Sequence, residues 1–343
     1  MISARSCAVL VMLSCGLSLA SVRLDGLGPN LVDIIDDPVT DLLLYPQVNV
    51  LTPGWLAGIE TNQSGYYHPY ASRTTGRWSV AAALDATLGD TLYVYSPSLA
   101  LSAQAGQLSF GVAATTFGIG DWAKPPRWLS EDTAAGWGAF STGNWRVTLG
   151  ARWHGPGFTL DGNVSGGASE ELYGGLVPSC YSEVKAFTPS LRMSWPGEHL
   201  SWRGVVVYDY VRDRHIQPDW THPQVSDFRT LALVGGPTFT AGNLLACAGL
   251  RAELDPYGHE WAWGFNLPAG IEWNPGPAVF RLGTEPLVVH APSLPGKVHM
   301  AFENHVYIGF GLRPAKRLRL DFMPDMENAA NLRAWHLAAA LDF

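Results

Sequence analysis

A chain of 343 residues is long enough for one large or two ordinary domains, and length alone does not choose between them. Charged residues make up only 15% of it, against roughly 25% in ordinary soluble domains, while 14 tryptophans and 12 tyrosines suit a molecule with a large surface that does not face water. The formal net charge of -8 argues against a nucleic-acid partner, whose phosphates call for basic surface.

The chain opens with Arg5, an apolar run from Cys7 to Leu19, and the small-x-small triplet Ser18-Leu19-Ala20. This pattern predicts an export signal over 1–20, cleaved after Ala20. The run is too short for a spanning helix, which needs ~20 apolar residues. A lipid-anchored alternative on Cys15 fits less well, because Met12 and Leu13 are not the small residues such a site prefers.

Residues 21–46 form a separate segment. Asp36-Asp37-Pro38 is a helix start, with an Asp cap and Pro at the first helical position, and Asp41-Leu42-Leu43-Leu44 carries the turn on to Tyr45-Pro46. The expectation is a short helix over Asp37 to Leu44 with Val39, Leu42 and Leu43 as its apolar face.

From Gln47 onward the chain alternates. After Gly143-Asn144, Trp145, Val147, Leu149, Ala151 and Trp153 stand on one parity and Arg146, Thr148, Gly150, Arg152 and His154 on the other. After Gly242-Asn243, Leu244 to Leu254 alternate in the same way with Cys247, Gly249, Arg251, Glu253 and Asp255. Period-2 alternation puts apolar groups on one face of a strand and polar groups on the other. Short turns are expected at these two dipeptides and near Gly89-Asp90, Pro196-Gly197, Asn274-Pro275-Gly276 and Pro314-Ala315. Longer connections are expected near Asn62 to Arg77, Gly118 to Thr133, Gly166 to Glu183, Arg212 to Phe228, Pro286 to Lys297 and Pro324 to Leu332. That rhythm predicts an all-β fold, a transmembrane antiparallel up-and-down β-barrel of about 14 strands over 47–343, with the short helix in or near its lumen. Tryptophans gather near the predicted strand ends, as aromatic girdles would.

The last stretch is the most regular. Met300, Phe302, Val306, Ile308, Phe310 and Leu312 alternate with His299, Glu303, His305, Tyr307 and Arg313; Leu318, Leu320 and Phe322 alternate with Arg317, Arg319 and Asp321. Trp335, Leu337, Ala339, Leu341 and Phe343 close the chain. A final strand ending in Phe resembles the assembly signal of bacterial outer-membrane β-barrels. The stretch Asp36 to Asp41 followed by Tyr45-Pro46-Gln47 resembles the amino-terminal segment of barrels similar to long-chain fatty-acid transporters and their secretion-associated relatives. In those barrels an Asp-rich segment leads to an Asn-Pro-Ala motif and tucks into the lumen; here Tyr45-Pro46-Gln47 stands in its place. The resemblance covers the first segment and the last two hairpins. It implies an outer-membrane location, with the membrane lipid and the barrel assembly machinery as partners.

The lumen-facing candidates by parity are Arg146, Arg152, Arg251, Glu253, Arg281, Glu285, His299, Glu303, His305, Arg317, Arg319 and Asp321, and the acids expected to pair a plug with them are Asp36, Asp37 and Asp41. Their mixed signs argue against a strongly ion-selective pore. His299 and Glu303, four residues apart in a strand, lie about 13 Å apart, too far to share a metal ion. No serine joins His305 as a nucleophile, and no Walker loop, dinucleotide fingerprint or nucleophile elbow occurs, so no catalytic, cofactor or metal site is expected. Cys7 and Cys15 leave with the signal; Cys180 and Cys247 are expected as free thiols. The reading is a channel or transporter for a small or hydrophobic solute, with a scaffold barrel of a surface or secretion complex as first alternative and an outer-membrane lipid hydrolase as second.

Overall fold

The computed structural model describes residues 21–25, 27, 29–31, 33–62, 66–88, 93–119, 138–141, 144–174, 180–216, 224–257, 260–291, 305–324 and 335–342. The expected signal over 1–20, the turn at Gly89-Asp90, and His299, Glu303 and Phe343 lie outside them.

Among the described residues twenty strand segments form one antiparallel sheet. In four places a segment carries on in line from the one before it, across 142–143, 249, 267–268 and 286–287, so the wall has sixteen strands. They are β1 Gly54–Asn62, β2 Tyr66–Thr75, β3 Trp78–Leu88, β4 Tyr93–Ala105 and β5 Leu108–Ile119. Then come β6 (Gly138–Ser141 with Asn144–Gly155), β7 Phe158–Gly174, β8 Cys180–Trp195, β9 Leu200–Ile216 and β10 Gln224–Ala241. The circuit ends with β11 (Leu244–Ala248 with Leu250–Tyr257), β12 (Glu260–Asn266 with Ala269–Trp273), β13 (Ala278–Glu285 with Val288–Ala291), β14 His305–Ala315, β15 Leu318–Pro324 and β16 Trp335–Asp342. β16 pairs with β1 from Leu56↔Asp342 to Asn62↔His336, which closes the sheet and leaves no free edge.

The count of about 14 is therefore corrected to sixteen. The region between Asn62 and Arg77, expected as a loop, holds β2, whose Tyr70, Ser72 and Thr74 face inward opposite β1 and β3. The hairpin between β2 and β3 turns at Gly76, with φ +60°, and that between β4 and β5 at Gly106, with φ +61°, a backbone region that favours glycine. Gly143-Asn144 is not a hairpin turn: both halves of β6 pair with the same strand, β7. Pro314 and Ala315 belong to β14, and the turn falls at 316–317. Gly242, at φ +56°, and Gly276, at φ +78°, turn where expected. Strands also run farther into the expected long connections, to Gly174, Ile216 and Ala291.

The barrel is apolar outside and polar inside. Every strand carries at least one large exposed hydrophobic residue, among them Leu99, Leu149, Leu191, Leu233, Leu282 and Phe310. The opposite parity is buried and polar: Ser98, Thr148, Asn163, Arg192, Glu272 and Arg281. Trp55, Trp78, Trp153, Trp195, Trp202 and Trp273 are all exposed and sit at the end of the barrel with the short turns, the start of β1 and the end of β16. No described helix is long and apolar enough to cross a membrane.

Candidate functional site: the lumen and its amino-terminal segment

The residues before β1 are wound inside the barrel. Two four-residue α-helices, α1 Val22–Asp25 and α2 Asp41–Leu44, alternate with 3-10 turns at Pro29–Leu31 and Pro46–Leu51. The expected helix is shorter than the sequence suggests and starts later, at Asp41, with Thr40 as its N-cap and no side-chain cap bond; Asp37 and Pro38 belong to the turn before it. Asp37 Oδ1 accepts from the backbone N–H groups of Val39 and Thr40 at 3.2 and 3.1 Å, with Pro38 between them. Pro46 stops the helix, and Asn49 folds the chain back by donating from Nδ2 to the carbonyl of Leu42 at 2.9 Å. The backbone N–H of Ser21 donates to Thr40 Oγ1 at 3.0 Å, tying α1 to α2. The segment touches the whole circumference: Pro46–Leu51 lies against β2 to β6, and α1 against β14 to β16.

Its apolar side chains meet two patches on the wall. Val39, Leu42 and Leu43 pack on Leu56, Tyr70, Ala81, Ala83, Ala100 and Ala113 from β1 to β5. Leu24, Leu27, Leu31, Ile34 and Ile35 pack on Val205, Val234 and Cys247, with Val207 and Leu245 beside them. Wall glycines make room. A Cβ on Gly111 would overlap the backbone at Pro46-Gln47, one on Gly150 would overlap the side chain of Gln47, and one on Gly249 would strike Ile34. One on Gly270 would lie 2.9 Å from Leu31. These four glycines are notches shaped for the segment.

Two charge clusters lock the fit. In the first, Asp161 of β7 takes Arg152 in a two-point pair, at 2.5 and 2.8 Å, and Arg192 of β8 at 3.1 Å. Arg192 reaches on to Asp41 at 3.4 Å and lies over the ring of Tyr45, 3.6 Å from its centroid. Gln47 Nε2 donates to Asp161 at 3.3 Å, and Arg203 of β9 pairs with Asp36 at 2.7 Å. In the second, Glu272 of β12 joins Arg23 of the segment at 2.9 Å to Arg281 of β13 at 2.7 Å. Arg281 continues to Asp321 at 2.7 Å and Asp321 to Arg319 at 2.6 Å, while Arg23 also reaches Asp37 at 3.6 Å. Burial drives the Asp41 carboxyl up to about 7, although Arg192 beside it favours the charged form. Burial likewise lifts the Tyr45 hydroxyl well above its usual value, helped by Asp33, to which it donates at 3.2 Å.

Buried ion pairs contribute little net stability, because desolvation offsets attraction, but removing one partner strands the other. The clusters therefore set where the segment sits more than how tightly the barrel holds together. The apolar patches supply most of the attraction.

Of the residues singled out from sequence, the structure brings Arg152, Arg281, Arg319 and Asp321 into these clusters with Asp36, Asp37 and Asp41. Glu285, also buried, accepts from Asn30 of the segment at 2.8 Å. Arg146 donates to Ser165 at 2.8 Å on the wall, and Arg251 pairs with Glu253 at 2.6 Å, both apart from the segment's two clusters. His305 stacks on Tyr307, ring centroids 6.4 Å apart. Arg317 is corrected: it lies in the exposed turn at 316–317, because the hairpin turns two residues later than Pro314-Ala315. Cys247 is a free, buried thiol that donates to the carbonyl of Gly270. Cys180, expected in a loop, is the first residue of β8.

The residues at the centre of the clusters, Asp161, Arg192, Arg203 and Glu272 on the wall and Arg23 on the segment, were not singled out. A signal for the wall residues existed. Asp161, Asn163 and Ser165 alternate with Leu160, Gly162 and Val164, and Glu272 stands between Ile271 and Trp273. Arg23, in a segment without alternation, carried none.

No family model and no curated protein matches the sequence. Solved structures resemble it in shape. The P. putida toluene transporter TodX aligns over 89% of this chain and 94% of its own at 10% identity, with a TM-score of 0.44. The monoaromatic hydrocarbon channel CymD aligns over 94% and 99% at 10% identity, with a TM-score of 0.49. The iron transporter FrpB from Neisseria meningitidis aligns over 81% of this chain at 10% identity, with a TM-score of 0.50; this chain spans 55% of that protein's length. The FrpB likeness is one of fold, a closed antiparallel barrel.

Proposed function

We propose that this protein is an outer-membrane channel or transporter for a small, hydrophobic or amphipathic solute, and that residues 21–53 are a plug that must shift for the solute to pass. The reading rests on one observation above all: a sixteen-stranded wall, wide enough for a water-filled lumen, holds its own amino-terminal segment against two apolar wall patches. Displacing the segment bares Ala81, Ala100 and Ala113 on one side and Val205 and Val234 on the other, surfaces suited to an apolar cargo. The outward apolar belt and the exposed tryptophans at its end support a lipid setting. Export through a cleaved signal over 1–20 and delivery to the membrane by the barrel assembly machinery belong to the same proposal.

The test is deletion of residues 21–46, with single-channel conductance measured in planar bilayers. The expected outcome is a rise in conductance over the full-length protein. An unchanged conductance would sink the plug.

A scaffold barrel for a surface or secretion complex is the second reading, favoured by how firmly the segment is seated. Pairs from Asp41 to Arg192 on β8 and from Arg23 to Glu272 on β12 pin it to separate parts of the wall, as a permanent filling would be. Absence of conductance in both forms would favour it.

A further inference from the structure

A third cluster of charge lies outside the barrel, where no solute path would need it. On β8, β9 and β10 the outward parity is apolar from the short-turn end upward: Trp195, Leu191 and Phe187 on β8, Leu200, Trp202 and Val206 on β9, Phe239 and Leu233 on β10. Then it changes abruptly. Three rows in register across the strands read Phe187, Tyr210, Arg229; next Lys185, Arg212, Asp227; last Glu183, Arg214, Val225. These side chains surround a recess of about 450 Å³ lined by Glu183, Lys185, Arg212, Arg214 and Val225.

From Leu200 to Tyr210 a strand climbs roughly 33 Å, or about 23 Å at a 45° tilt, close to the height of the ~25 Å apolar band. Lys185, Arg212, Arg214 and Arg229 therefore stand at the headgroup level. They are at the end of the barrel away from the start of β1 and the end of β16, the end that faces the outside in barrels of this kind.

The local charges are not balanced. Lys185 and Arg212 sit directly opposite each other on neighbouring strands, a like-charge pairing that weakens a sheet. Two acids offset part of this. Glu183 contacts Lys185 and lies 3.9 Å from Arg214, and Asp227 lies 3.8 Å from Arg212 and accepts from the Tyr210 hydroxyl at 3.1 Å. Arg229 leans over the Tyr210 ring, 5.8 Å from its centroid. Counting Glu170 of β7, in register beside Glu183, four cations against three acids leave a small excess of positive charge on a chain whose overall charge is -8. The arginines and lysine remain about half exposed, at 52% for Arg212, 45% for Arg214 and 59% for Lys185.

We infer that this patch binds the phosphate groups of a phosphorylated glycolipid in the outer leaflet, acyl chains lying down the apolar face below and phosphates held by Lys185, Arg212, Arg214 and Arg229. The guanidinium fork matches phosphate geometry, and an anion between Lys185 and Arg212 relieves their repulsion. The inference rests on the membrane reading above and goes beyond it, since it concerns the outer surface and is independent of the plug.

The test uses the full chain folded in detergent. Its affinity is measured for lipopolysaccharide with its lipid phosphates intact, for the same lipopolysaccharide after phosphate removal, and for phosphatidylglycerol. The expected result is binding of the phosphorylated form about tenfold or more above the other two, weakening steeply with salt. The variant K185Q/R212Q/R214Q/R229Q should lose that preference. The variant E183Q/D227N, which frees the cations from their internal partners, should bind more tightly, and it serves even where the fourfold variant fails to fold. Equal affinity for the phosphorylated and dephosphorylated forms, equal affinity for phosphatidylglycerol, or no tightening in E183Q/D227N overturns the inference. Flotation of the wild-type protein with phospholipid vesicles is scored separately. Failure to float overturns the membrane reading, whereas flotation without phosphate dependence overturns this inference alone.

Discussion

Arg192 is the residue on which the inner network turns. It is fully buried, shares Asp161 with Arg152, and alone spans from the wall to Asp41 and the Tyr45 ring. Removing it leaves Asp161 with Arg152 and Gln47 only, and Asp41 buried without its nearest cation. Arg192→Ala should therefore cost about 3–5 kcal/mol of folding stability in urea titrations of the vesicle-folded barrel, the range for breaking a buried pair from one side. Adding Asp41→Asn should recover part of the loss, because the stranded charge is then gone; an additive double variant would show that the two do not interact. Asp41 also carries a pH signature. Docked, its carboxyl titrates near 7; free in water it would titrate near ~3.9. The docked form thus holds the proton more tightly, so this contribution to docking is complete below the free value and is lost as pH rises through about 7. Protease cleavage within residues 21–53 should grow faster as pH rises from about 4 to about 7 and level off above that. Asp41→Asn should flatten that change, whereas a slope that persists in the variant would move the effect to another group. Asp36, Asp37, Arg192 and Arg203 face Asp41 and set the background against which it titrates.

At the scale of elements, the amino-terminal segment and the strands obey different rules. The segment has no long helix, and its own hydrogen bonds close only short turns, so its path across the lumen is set where the wall fits it. Gly150→Leu should expel it, because the new side chain claims the space of Gln47 while facing the lumen rather than lipid. The variant should still fold as a barrel and should raise conductance toward that of the protein lacking 21–46; an unchanged conductance with leucine in place would mean that the notch does not guide docking. The strands are two-faced, and β14 shows both faces. Phe310 is exposed and packs edge-on against Phe280, whereas His305 stands on the other parity. Phe310→Arg should lower folding stability by about 2–4 kcal/mol near the midplane, as charges on lipid-facing positions do, and His305→Ala should change folding yield little. Equal folding yields would reverse the assignment of faces.

For the whole molecule, closure and filling are separate achievements. The wall is completed by the antiparallel pairing of β16 with β1, a ladder made between the two strands themselves. The protein lacking 21–46 should therefore keep the β signature in circular dichroism while it gains conductance. Loss of that signature would make the segment a template for folding instead of a plug.

The sequence by itself determined the class of wall: alternation in runs such as Trp145 to Trp153 and Leu244 to Leu254 assigned inward and outward faces correctly, since each residue's neighbours two positions away share its face. It also marked a turn at Asp37-Pro38, where the Asp37 carboxylate accepts from Val39 and Thr40, although the helix itself starts only at Asp41. It missed β2 and misplaced two turns, because a strand with Pro69 and few large apolar residues looks like a connection until β1 and β3 are seen to pair with it on either side. Only the tertiary structure decided the site. Asp41 and Arg192 lie 151 residues apart, and Arg23 and Glu272 lie 249 apart, so no local pattern joins them. They meet because a closed sheet turns every inward side chain toward one axis, and there a short segment can reach them all.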